Sequence, residues 1–477
     1  LFNNYTFDIH GRQTAHTSHR AGTHIYSDEL KYNSTYRGAI GTFSGNISAW
    51  NWRRHDNSCD TLMFLYDSSN RLIKAATLDN GVATNRFSEN NITYDRNGNI
   101  LTLKRYGSGD LKQNISNSYL GNRLSGCIYD SNGNITYDAA SGLSMQWTPL
   151  NLIKKVSDSN GVLVNYSYLA DGTKVRAVDA DGEGLEYRGS LTFRRSSDGT
   201  LTPESIAFSG GRIVAVTGSG GVVSFVANHH VTDHLGSVRA VVDGSTGQVV
   251  ETNDYYAFGG RWDRSGSLVD QSNRYRYNGK EEQATFGTPY SDYGARQYSS
   301  ASGRWLAVDP LAEKYYGISP YAFCNNNPVN FVDPDGKFPV ALPLLPIVLK
   351  AAVVAGGLTL TIWAADKFAQ SYESSKYNPG YENQKEQDRR NKRALDQAQL
   401  NVQNSINNNF PDPNQHDPND GPNMKRGSNF KKAAFLSLAL IGGNHEFLKE
   451  LIKNFLLNDE GEEKGEEKKE IDTDANV

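Results

Sequence analysis

Three stretches decide the fold: Tyr66-Asp67-Ser68-Ser69-Asn70-Arg71-Leu72, Tyr94-Asp95-Arg96-Asn97-Gly98-Asn99-Ile100 and Tyr129-Asp130-Ser131-Asn132-Gly133-Asn134-Ile135. Each is Tyr-Asp, two polar residues, Gly or Asn, Asn or Arg, then an aliphatic residue. Tyr168-Leu169-Ala170-Asp171-Gly172-Thr173-Lys174-Val175 is a looser copy, and the spacing between copies is irregular. Physically, each unit reads as a strand, a tight turn opened by Asp, and a return strand. The carboxylate can accept hydrogen bonds from the backbone of its own turn. Outward from these units the pattern continues. Strand-like runs such as Thr61 to Tyr66, Gly161 to Tyr168 and Arg212 to Thr217 alternate with turn dipeptides, among them Asn80-Gly81, Asn97-Gly98, Asn132-Gly133, Asp181-Gly182 and Asp243-Gly244. Asn-Gly and Asp-Gly between such runs are strong hairpin signals because both residues tolerate positive φ. A single hairpin cannot bury its own face, so neighbours must stack into an extended sheet. Residues 1 to about 336 are therefore expected to form one long β territory.

Composition agrees. The chain has 477 residues, and Tyr supplies 26 of them beside 45 Gly. Strands rich in Tyr, Thr and Val with Gly, Asn and Asp turns have this make-up. Forty-nine Lys and Arg against 53 Asp and Glu leave a formal net charge of −4. That balance argues against a basic nucleic-acid coat protein, and no nucleic acid is expected as a partner. Cys59, Cys127 and Cys324 are too few and too widely spaced for a disulfide framework or a CxxC metal site. Residues 1–20 hold no apolar signal-peptide core. The chain begins with Leu1, which is read as the start of the C-terminal portion of a longer protein.

The repeats resemble the YD repeats of the Rhs family. His229-His230-Val231-Thr232-Asp233-His234-Leu235-Gly236-Ser237-Val238-Arg239 is similar to the DHLGS-x-R signature that leads into the Rhs repeat-associated core. Tyr293-Gly294-Ala295-Arg296-Gln297-Tyr298, Ser302 to Leu306, Asp309-Pro310 and Asn327 to Gly336 are similar to that core and to its end. The resemblance implies a mainly β fold of YD-repeat hairpins in a spiral sheet, the β cocoon of bacterial Rhs and Tc-toxin C-component shells. It divides the chain into a shell over residues 1–240 and a core over 241–336. Beyond them, a shell of this kind encloses a variable, mostly α C-terminal segment.

The resemblance also implies self-cutting by aspartates in two DP-x-G elements. Asp333-Pro334-Asp335-Gly336 is intact, whereas the first, Asp309-Pro310-Leu311-Ala312, has Ala312 where the family has Gly. Lys337 follows the final Gly, where self-cutting members usually carry a large apolar residue. The chemistry needs two carboxylates close enough to share one proton, which gives one acid and one base at the same pH. Asp309 and Asp333 are the candidate catalytic pair. Arg296 and Arg304 are the candidates to orient a carboxylate or hold a developing oxyanion. The candidate bond is Lys337–Phe338 or Gly336–Lys337. Against this, an Asp-Pro step is commonly only a turn starter, and Arg304 is more often a structural ion-pair partner. Asp67, Asp95 and Asp130 are read as turn residues.

Other constellations carry less. His229, His230, Asp233 and His234 suggest metal ligands only superficially, because strand alternation puts neighbours on opposite faces; a structural loop is expected there, with no metal and no cofactor. His445-Glu446 lacks the second His of a zincin helix. Lys425-Arg426 with Lys431-Lys432 is read as a solvated face.

After residue 336 the composition changes. Residues 337–369 form an apolar segment read as helical, and a membrane contact through 338–369 is one expectation. Residues 370–458 form a variable region with a linker at 401–429, where Pro411, Pro413, Pro418 and Pro422 cluster. Residues 459–477 carry nine acidic and three basic groups and read as a disordered tail.

Two functions fit this sequence. One is a container, secreted or at the cell surface, that encloses its own C-terminal segment as cargo and releases it by cutting itself once in cis. Secretion machinery or an immunity protein would then be its partners. The other is a cell-surface scaffold that binds carbohydrate or protein and has an inert core. A peptidase acting in trans is disfavoured because the pair would be enclosed.

Overall fold

The computed structural model describes residues 1–341 apart from 219–222, 271 and 315. The expected linker, variable region and acidic tail, and the apolar segment beyond Ala341, lie outside the described residues.

The architecture follows from the turns. In Asp67, the backbone N–H donates to Arg71 O at 2.9 Å and Asn70 N–H donates back to Asp67 O at 3.0 Å. The side chain completes the turn. Oδ1 accepts from the N–H groups of Ser69 and Arg71, and Oδ2 accepts Arg71 Nε at 2.7 Å. Asp95 does the same with Asn97 and Asn99, and Asp130 with Asn134. The fourth turn residue must be left-handed, and Asn70, Gly98 and Gly133 have φ of 59°, 81° and 84°. This is a three-residue hairpin loop closed by a bulge. The register shifts beside each turn, at Leu65/Tyr66, Thr93/Tyr94 and Ile128/Tyr129. The dipeptides mark hairpin turns of two kinds. Both residues take positive φ at Asn80-Gly81, but at Asn97-Gly98 and Asn132-Gly133 only the glycine does.

The Tyr of the motif acts between hairpins. Tyr94 Oη donates to Leu72 O, the residue just past the Asp67 turn. The carbonyls in the same position after later turns are also taken: Ile100 by Tyr119, Ile135 by Trp147 and Ile153 by Tyr168, each at 2.8 Å. In each case a Tyr or Trp of a later strand caps the earlier turn, whereas Tyr129 accepts Leu124 N–H at 2.8 Å. The aliphatic residues that carry these carbonyls (Leu72, Ile100, Ile135, Ile153) are buried.

Among the described residues this wiring makes two long antiparallel sheets in sequence order. One has ten strands between Phe2 and Ser116 and the other thirteen between Ile128 and Thr252. A small sheet of Glu281–Glu282, Tyr290–Asp292, Gln297–Ser299 and Arg304–Trp305 comes next in the chain. Apolar residues of this sheet and of the segments around it join both cores. Phe258, Tyr277, Tyr293, Tyr298, Trp305 and Phe323 pack with Trp52, Phe64 and Ile100 of the first sheet. Phe286, Tyr290 and Leu306 pack with Met145, Val164 and Tyr166 of the second. Phe331–Val332 pairs with Val340–Ala341, so the first described residues of the apolar segment are extended and not helical.

Buried charge is the other binder. Arg239 lies in a box of Tyr26, Trp50, Trp52 and Tyr255, with Asp254 on its guanidinium and Asp233 Oδ2 at 3.8 Å. Asp28 accepts Tyr26 Oη at 3.2 Å and Trp50 Nε1 at 3.3 Å beside them. Burial, and then the charge of Asp233, pushes the Asp28 carboxyl up to about 7. The unfolded value is about 3.9, so the folded chain binds the extra proton between the two. Stability from this group therefore falls as pH rises from about 4 to about 7. Asp28→Asn is expected to raise Tm at pH 8 and to flatten its fall between pH 5 and 8, which thermal melts at several pH values would check.

Candidate active site

The segment Asp333-Pro334-Asp335-Gly336 closes a turn of the same chemistry as the repeats, but more tightly. Asp333 Oδ1 accepts backbone N–H groups from Asp335 (3.3 Å), Gly336 (2.8 Å), Lys337 (3.1 Å) and Phe338 (3.3 Å). Gly336 has φ of 76°, and a Cβ there would sit 3.0 Å from Arg296 N and 3.2 Å from Tyr293 Cβ. Glycine is thus required for both conformation and space.

Asp309 opens the other turn. Its N–H donates to Pro320 O at 3.0 Å, its Oδ1 accepts Leu311 N–H at 2.7 Å, and Ala312 N–H returns to Asp309 O at 3.0 Å. Ala312 begins a 3₁₀ turn, Ala312–Lys314, so this turn works without a glycine at that position.

Arg296 brings the two elements together. Its Nη2 lies 2.8 Å from Asp309 Oδ2 and 3.1 Å from Asp333 Oδ2. The two carboxylate oxygens are therefore no farther apart than the sum of those distances. Arg296 Nε donates to Gly336 O at 2.5 Å, and the guanidinium stacks 4.1 Å over the Trp305 ring. Burial and the charge of Asp333 raise the Asp309 carboxyl, while Arg296 opposes the rise. Burial pulls the Arg296 guanidinium down against the two carboxylates that hold it up.

The structure thus places Asp309, Asp333, Arg296 and Lys337 in one cluster. Arg304 is elsewhere. Its guanidinium reaches Asn99 Oδ1 at 2.9 Å and Asn122 O at 2.7 Å and packs on the Tyr119 and Tyr321 rings, tying this segment to the Asp95 turn. Two residues of the cluster were not singled out from the sequence. Lys280 is half-buried and donates from Nζ to Pro334 O at 2.6 Å; desolvation lowers its ammonium, and Asp333, Asp335 and Asp292 counter that. Asp335 accepts Lys337 N–H on Oδ1 at 3.2 Å. Only a fold that returns residue 280 to residue 334 reveals Lys280, whereas Asp335 lies inside the second DP-x-G motif itself.

His229 and His230 sit on the strand Val223–Thr232 and not on a loop. His230 is buried, and burial drops its imidazole to about 3. Asp233 opens another repeat-type turn, accepting Leu235 and Ser237 N–H at 3.0 Å. Among the described residues no group of three or more His, Cys, Asp or Glu could hold a metal ion. No described helix is long and apolar enough to cross a membrane.

Comparison with known proteins gives the fold first. The chain superposes on a crystal structure of TcdB2-TccC3 with a TM-score of 0.53 at 21% identity, over 70% of this chain and 18% of that one. The nearly all-β, antiparallel architecture is thus similar in fold to that structure and fits a β cocoon. In sequence the chain is similar to toxin subunit YenC1 of Yersinia entomophaga, 26% identical over 380 residues, which is 67% of this chain and 38% of YenC1. It is also 26% identical over 287 residues to the tRNA3(Ser)-specific nuclease WapA of Bacillus spizizenii, 57% of this chain and 12% of that protein. The chain thus spans well under half of the relatives it matches. No protein-family model matches it.

Proposed function

We propose that this chain is part of a toxin-like container, whose β wall encloses the residues after 336 and whose core cuts them free once, in cis. The observation that carries the proposal is Arg296, which bridges Asp309 and Asp333 with one nitrogen and holds the Gly336 carbonyl with another. The shared stretch adds support for a carrier role. One β region recurs in proteins whose names differ in activity, a toxin subunit and a tRNA nuclease.

The reaction is peptide hydrolysis. Water adds to the carbonyl carbon, the C–N bond breaks, and a carboxylate and an amine result. Proximity takes the place of substrate binding, because the bond is part of the site. Asp309, whose carboxyl burial raises, is placed as the acid, and Asp333 Oδ1 lies on the nitrogen of the candidate bond. Of the two candidate bonds, Gly336–Lys337 has Arg296 on its carbonyl oxygen and Asp333 on its nitrogen. Lys337–Phe338 has Asp333 on its nitrogen at 3.3 Å.

Expression of the wild type beside Asp309→Asn and Asp333→Asn tests this. The wild type is expected to run as two fragments on a denaturing gel and each variant as one, with Lys337 the new N-terminus. Fragments that persist in both variants would refute the pair. If the Asp309 proton is required, cutting during refolding slows as pH rises through the raised Asp309 value. Association with other toxin components and secretion are the corresponding expectations for the longer protein.

A further inference from the structure

Asp335 has no role in the bridge, yet it is buried beside the candidate bond. Its carboxylate meets one residue twice: Oδ1 accepts the Lys337 backbone N–H at 3.2 Å, and Oδ2 lies 3.9 Å from Lys337 Nζ. Its own N–H donates to Asp333 Oδ1, and its carbonyl accepts Ala295 N–H at 3.1 Å, next to Arg296. On the other side, Lys280 Nζ grips the carbonyl of Pro334. The segment 334–337 is therefore held at both ends, and Gly336 lies between the two holds.

We propose that Asp335 is a positioning residue for the cut, clamping Lys337 by backbone and side chain so that Gly336 O stays on Arg296 and Lys337 N–H stays on Asp333. This inference rests on the cleavage reading above. A shift of about 1 Å matters here, since a misplaced bond forfeits much of the gain from proximity. The pairing also makes residue 337 a specificity element, because an ammonium at that position matches the buried carboxylate two residues before it. Burial and the Asp333 charge raise the Asp335 carboxyl, with the Lys337 and Lys280 ammonium groups opposing.

The test is a double-mutant cycle in the full chain, refolded from denaturant and sampled over time, with the half-time of cutting and the fragment masses as readouts. Asp335→Asn keeps the size and an acceptor but removes the charge. Lys337→Met keeps the stem but removes the ammonium. Each is expected to slow cutting about tenfold, and the double variant no further, because both remove the same pair. Lys337→Arg is expected to restore most of the rate. Thermal melts of the folded chains are expected to stay within a few degrees of the wild type, which separates positioning from loss of structure. Additive slowing, or variants that cut at the wild-type rate, would overturn the clamp while leaving the aspartate pair standing. A wild type that never cuts would overturn both.

Discussion

Arg296→Met is expected to abolish cutting and to destabilise the folded chain by about 3–5 kcal/mol, the usual cost of removing one partner from a buried ion cluster. Arg296 is 2% exposed, and Asp309 and Asp333 converge on one of its nitrogens. Without the guanidinium the two carboxylates face each other with no cation between them, and Gly336 O loses its donor. Equilibrium denaturation measures the first effect and a denaturing gel the second. Acidification should recover part of the stability, since protonating either carboxyl removes the repulsion. It should not recover cutting, because the carbonyl stays unpolarised. A variant that cuts at the wild-type rate would remove Arg296 from the chemistry.

The second large effect lies at the seam between the thirteen-stranded sheet and the small sheet. Glu204 receives Arg212 at 2.7 Å and Arg274 at 2.8 Å, and Arg274 goes on to Glu281 at 3.1 Å. Burial would push the Glu204 carboxyl up, but Arg274 and Arg212 hold it down to about 2. Against an unfolded value of about 4.3, that is stability present above pH 4 and lost as pH falls toward 2. Glu204→Gln is expected to cost about 3 kcal/mol at pH 7. The difference from wild type should vanish near pH 2. A pH-independent loss would mean that packing, and not charge, holds the seam.

The turns were the most legible part of the molecule. Asp67, Asp95 and Asp130 announce themselves because one side chain satisfies the turn's backbone locally, so spacing alone carries the information. A further copy, Phe7-Asp8 with Arg12, makes the same bonds but replaces Tyr with Phe and so escapes the motif. The role of the repeat Tyr was not legible, because its hydrogen bond crosses to the previous hairpin. The same limit divides the candidate site. Asp309, Asp333 and Arg296 could be named from their motifs, and the structure puts them together. Arg304 sits as close to Asp309 in sequence as such a helper should, yet its guanidinium turns to Asn99 and Asn122, some 180 residues or more away in sequence. Lys280 reaches the site from a segment that no local pattern connects to residue 334.

The central claim, that the chain cuts itself between its β wall and the residues after 336, is tested most directly by the intact mass of the purified wild type under denaturing conditions. The account predicts two masses that together equal the full chain of 52.7 kDa plus one water, with the boundary at Gly336 and Lys337. A single mass of 52.7 kDa would contradict it, and the Arg296 cluster would then be a structural clasp of an uncut scaffold.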